Sequence, residues 1–266
     1  MYDILIGKIK YNPWVLFIVT LITIILATLL SLKAGSYGGI LIIAISLVPL
    51  VQIYTKLIEK DEKIAEKIKS KRNLFIRYKD YFIASFIIFF ASIIGFYIGY
   101  LINYSLFFPQ LQAIENIRQH VLALSYGQII DTDKFFTYIL FNNMTVLLLF
   151  FSFSIVFGAG SIYLLLWNSS IIGVFLGLEA TEISTNNLLY KYILYPTISL
   201  LEMLPHGLLE FLGYFLAALS GNILSIAFIK GLDKETLENI LSDSLALFVL
   251  SILCIFVAAV IEAYII

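Results

Sequence analysis

Long apolar runs separated by short charged or glycine-rich breaks dominate the chain. A bilayer core about 30 Å thick needs roughly 20 apolar residues per helical crossing, so uncharged runs of that length predict membrane spans. They fall at residues 13–32, 38–55, 81–108, 139–166, 169–186, 205–229 and 244–264. The first two form a helical hairpin turned through Ala34-Gly35-Ser36-Tyr37-Gly38-Gly39, where glycine allows the positive φ of a short connection. The fifth run is short and carries Glu179 and Glu182, so the pattern predicts six or seven crossings. The first run follows Lys8 and Lys10 but is as long as a full span and precedes no A-x-A pattern, so it reads as retained.

The polar intervals add two helices. Residues 56–80 are charged and helix-favouring, with Glu59 and Lys63 at i,i+4, and extend the second span as a basic arm. Between Pro109 and Asp133, Leu111, Ile114, Ile117, Val121 and Leu124 recur at threes and fours, the apolar face of an amphipathic helix lying in the membrane interface. The expected fold is therefore all-α, a polytopic transmembrane bundle. It comprises a hairpin at 1–55, an arm at 56–80 and a main transmembrane domain at 81–266.

Composition agrees with the pattern. Of 266 residues, 61% are hydrophobic and 13% charged, against about 25% charged in soluble domains. The net charge of −1 lacks the basic excess that nucleic-acid backbones demand. The single cysteine, Cys254, excludes a disulfide framework within one chain. A cytoplasmic N-terminus places Lys8, Lys10, the nine basic residues from Lys56 to Lys79, Lys230 and Lys234 inside. Only Lys33, Arg118, Lys134 and Lys191 then lie outside, as does the C-terminus after seven crossings of the cell membrane.

Polar groups within the spans are the candidate chemistry, because ionisable side chains in hydrocarbon are expensive. In Leu204-Pro205-His206-Gly207-Leu208-Leu209-Glu210, proline suits the first turn of a helix, so the sixth span is expected to start there. Glu202 would then sit at its positive N-terminus. His206 and Glu210 share a face that continues through Gly213, Ala217 and Gly221. Asn142 and Asn143 open the fourth span, Gly158 and Gly160 weaken its middle to late part, and Asn168 marks the turn into Gly173 and Gly177, a G-x-x-x-G face like Gly95 and Gly99. The default role of these glycines, Gly207 included, is helix packing. The plainer reading of His206 is that it pairs with Glu210 or reaches interfacial water; Glu202, His206 and Glu210 have the chemistry of a cation site, but neither metal nor cofactor is expected. No H-E-x-x-H, G-x-S-x-G or phosphate loop is present, so an enzyme is not expected.

Asn142-Asn143, Phe157-Gly158-Ala159-Gly160, Asn168 followed by Gly173, and above all His206-Gly207-Leu208-Leu209-Glu210 resemble the stage II sporulation protein M family over residues 138–228. Where that family commonly has Asn-Gly, this chain has Asn168-Ser169. The resemblance implies a polytopic membrane protein, whose sporulation members work with peptidoglycan-remodelling enzymes during engulfment. Two functions follow as expectations. The first is a scaffold that organises other membrane or envelope proteins, or further copies of itself, within the lipid bilayer. The second is a transporter or channel for an ion, small solute or lipid, with a polar path past His206 and Glu210.

Overall fold

The computed structural model describes residues 12–67, 78–126, 129–230 and 234–265. Among these described residues eight α-helices follow in order: α1 (Pro13–Leu30), α2 (Gly38–Lys67), α3 (Lys79–Ile102), α4 (Phe108–Ala123), α5 (Thr132–Phe157), α6 (Ser161–Glu182), α7 (Tyr195–Lys230, preceded by a π-helical turn at Tyr190–Leu194) and α8 (Lys234–Tyr264). All but α4 are long and apolar enough to cross a membrane, giving seven candidate spans among the described residues. Their outward side chains are bulky and apolar: Trp14, Phe141, Val156, Leu201 and Leu253 are all exposed. Only lipid makes such a surface inexpensive. The protein is an all-α polytopic membrane protein.

The helix starts follow local chemistry. Asn12 caps α1 by accepting from the Trp14 amide at 3.0 Å, with Pro13 in the first turn where its missing N–H costs nothing. Asp131 caps α5, accepting from the Lys134 amide at 3.2 Å and pairing with its ammonium at 2.9 Å. The Lys134 side-chain hydrogen bond, followed by the backbone bond, holds the Asp131 carboxyl below the usual carboxylate range. The hairpin turn runs through Gly35 at φ +66°. A two-residue antiparallel ladder, Ser125–Tyr126 with Ile129–Ile130, precedes α5.

Several boundaries differ from the sequence expectation. The third span ends at Ile102, because Asn103 turns extended and its side chain accepts from the Ser105 amide, opening a 3-10 turn at Tyr104–Phe107. The fourth begins at Thr132 and ends at Phe157, where Gly158 takes φ +55°. Asn168 therefore marks no turn: it lies within α6 and donates to the Leu164 carbonyl at 2.8 Å. The sixth span starts well before Pro205, which sits inside α7, and Glu202 is an exposed mid-helix residue rather than one at a helix N-terminus. Helix α2 continues past its apolar part to Lys67. Lys8, Lys10 and residues 68–77 of the basic arm lie outside the described residues.

The chain divides into two compact units that cut across the sequence-order division. The first comprises residues 1–113 and 162–184, the second residues 114–161 and 185–266. In the first, Gly95 and Gly99 of α3 bring it against Ile24 and Thr28 of α1. Gly173 of α6 lies so close to α3 that a Cβ there would be 2.8 Å from the Phe96 Cβ, and Gly177 faces Tyr100. Gln110, buried at the start of α4, donates to the Ser170 hydroxyl at 3.3 Å.

In the second unit α5, α7 and α8 pack together. Gly213 meets the Ser251 carbonyl and Ile255 of α8, and Gly221 meets Phe151 and Ser154 of α5. Ser220 and Ser244 hydroxyls lie 2.9 Å apart across α7 and α8. The Phe150 and Tyr214 rings stack at 5.2 Å and 3°. At the other end of the unit, Tyr264 donates to Asp133 at 2.8 Å and packs its ring on Phe136.

Candidate functional site

The second unit gathers its polar intramembrane groups at one place. Asn143 is buried on the face of α5 that carries Ile139, Leu147 and Phe150. Its Nδ2 donates to the Glu210 carboxyl of α7. Its Oδ1 accepts from the Tyr214 hydroxyl at 3.0 Å and from the Asn142 amide at 3.2 Å. Tyr214 follows Glu210 by one turn, so both side chains point at α5 from the same side of α7.

The fourth member comes from the last helix. The Glu262 carboxyl of α8 lies beside the Glu210 carboxyl. Asn143 is buried, whereas Glu210 and Glu262 keep part of their surface exposed. The arrangement is thus a pair of carboxyls on two helices, one of them held by the buried amide of a third. Such a site can take up and release a proton, or accept a cation in its place.

The other residues singled out in the sequence fall elsewhere. His206 is half-buried, with its Nδ1 sealed from solvent and without a hydrogen-bond partner. Glu202 is exposed and does not join Glu210. Among the described residues no three His, Cys, Asp or Glu side chains converge as metal ligands. Asn168 bonds its own helix in the first unit. Gly173, Gly177, Gly213 and Gly221 make close helix contacts, Gly158 supplies the positive φ that ends α5, and Gly160 follows it against Phe157. Gly207, by contrast, has only the Phe211 ring within 4 Å of a would-be Cβ, at 3.6 Å.

Sequence reasoning missed Glu262, Tyr214 and the Asp133–Tyr264 clamp. Glu262 had a readable signal: it is a lone acid near the end of the last apolar run, followed by only four residues of the sequence.

The family model for stage II sporulation protein M matches residues 84–265, more than half of the chain. The chain belongs to that family. The match spans the His206-to-Glu210 element and extends to Glu262, so every member of the polar group lies within the stage II sporulation protein M region. No curated protein and no solved structure matches the chain.

Proposed function

We propose that this stage II sporulation protein M family member is a transporter or channel for an ion or small solute, with a polar path past Glu210 and Glu262. The observation that carries this reading is the carboxyl pair itself. Two acids from two spans stand side by side, one of them bonded to a buried asparagine, and such groups are costly in hydrocarbon and typical of ion and proton paths. The scaffold reading draws on small-residue faces that would receive partners. Gly173, Gly177, Gly213 and Gly221 are instead occupied by contacts within the chain, which leaves the scaffold resting on family likeness alone. The basic excess on one side supports a cell-membrane location with a cytoplasmic N-terminus.

The test is flux in proteoliposomes for protons, common monovalent ions and lipid, comparing the wild type with Glu210→Gln, Glu262→Gln and Asn143→Ala. Flux in the wild type that falls at least tenfold in both glutamate variants is the expected result. Folded wild-type protein that passes nothing above empty liposomes would overturn the reading and return the scaffold to the front.

A further inference from the structure

Helix α7 carries another polar side chain in its most deeply packed stretch. From Gly213 to Ile223 every residue is buried, and Asn222 among them is only 1% exposed. Neither the nitrogen nor the oxygen of its amide has a hydrogen-bond partner in the chain. Donors and acceptors buried without partners are costly and rare, so a fully enclosed amide with both ends bare calls for an occupant. A second bare group adjoins it. The Ser154 hydroxyl of α5 is fully buried and also bonds nothing, and the Ser154 Cβ stands 2.8 Å from the place that a Cβ on Gly221, the residue before Asn222, would take. Successive residues of an α-helix turn by about 100°. Ser220 meets Ser244 of α8 and Gly221 meets α5, so Asn222 lies on the flank of the α5 contact that faces away from α8. Ala218, one turn earlier on that flank, leaves the amide uncrowded by its own helix.

Charge decides what the place can hold. No charged side chain occurs on α5 after Lys134 or on α7 between Glu210 and Lys230, and Asp243 of α8 adjoins Ser244 on the far flank. A bare ion would lie there without a counter-charge, which a low-dielectric interior makes expensive. The amide offers both a donor and an acceptor, and the hydroxyl can act as either. A small neutral molecule with both capacities satisfies them all. Water is that molecule, and buried waters in proteins bond otherwise unpartnered polar groups about three at a time. We propose that Asn222 and Ser154 hold bound water within the α5–α7 packing, a hydration site about 18 Å along α7 from Glu210. The site rests on the transport reading only for its purpose. In that reading the carboxyls of Glu210 and Glu262 are one station of the polar path, and the hydrated amide is a second, neutral station toward the Lys230 end.

The test reads hydration on the resting protein, so it can succeed or fail independently of any flux. Water-edited solid-state NMR on the full chain in lipid bilayers follows polarisation passing from water into individual labelled groups. Gly221-Asn222 is the one Gly-Asn step in the sequence, so carbonyl-labelled glycine combined with nitrogen-labelled asparagine assigns Asn222 without a substitution. The backbone amides of Ala217 and Ala218, both 0% exposed, serve as dry references on the same helix. The Asn222 side-chain amide should gain water polarisation several times faster than these two, despite its equal burial. Ser154→Ala removes one of the water's partners and should slow that gain while leaving the reference amides unchanged. A gain no faster than that of Ala217 and Ala218 in the wild-type protein would show a dry amide and overturn the site. An unaltered gain in a folded Ser154→Ala protein would overturn the share given to Ser154.

Discussion

Two glycines on α7 give opposite forecasts for the same substitution. At Gly221 an added Cβ would stand 2.8 Å from the Ser154 Cβ and 3.2 Å from the Ile155 nitrogen, and closer still to the Phe151 carbonyl oxygen, whereas ordinary contacts begin at 3.4 Å. Two of these neighbours are backbone, so α5 and α7 must part, an overpacking strain of about 1–3 kcal/mol. At Gly207 the nearest atom is the Phe211 Cε2 at 3.6 Å, already an ordinary contact. Both changes gain the same helical preference, about 1 kcal/mol. Gly207→Ala should therefore raise stability by roughly 0.5–1 kcal/mol. Gly221→Ala, with that gain set against the strain, should lower it by up to about 2 kcal/mol, leaving a difference between the two of about 1–3 kcal/mol from which the preference cancels. Reversible unfolding in mixed dodecylmaltoside and dodecyl sulfate micelles, followed by far-UV circular dichroism, reads the difference directly. Equal shifts, or a Gly221→Ala protein more stable than Gly207→Ala, would refute the close approach of α5 and α7.

Two further outcomes are expected. Tyr214→Phe keeps the stack on Phe150 but removes the donor to Asn143, so it should cost about 1 kcal/mol in the same micelle assay, and a change beyond about 3 kcal/mol would show that the hydroxyl does more than satisfy the amide. Because Lys134 holds Asp131 below the usual carboxylate range, the cap's charged contribution is complete above that range and fades as pH falls through it. Asp131→Asn should flatten the acid limb of melting temperature against pH, and an unchanged acid limb would remove Asp131 from the explanation.

The spans were legible because hydrocarbon enforces a length on apolar runs, and all seven fall where charges leave room for them. Their ends were not. Residues 139–186 form an almost unbroken apolar stretch, so the break between α5 and α6 depends on one positive φ at Gly158 rather than on polarity, and Asn168 looked like the better punctuation. Pro205 could open a helix or interrupt one; the apolar residues before it read equally well as a loop edge, and only the packing of the whole helix decides. Of the site, Asn143 and Glu210 were visible as polar groups inside spans. Their meeting with each other, and with Tyr214 and Glu262, depends on which faces of three helices turn together, which no single helix records.

The unit that holds the site is discontinuous, and this orders its assembly in time. Asn143 precedes its acceptor Glu210 by 67 residues, with the whole of α6, a helix of the other unit, made between them. At about 5–20 residues per second of synthesis, the amide waits several seconds in the insertion machinery or in lipid before Glu210 exists, and longer before Glu262 follows. The three-helix core can close only when the last span is in place, so a truncated or stalled chain leaves Asn143 and Glu210 without the carboxyl that completes their set, a state that membrane quality control can recognise by its unpaired polar groups.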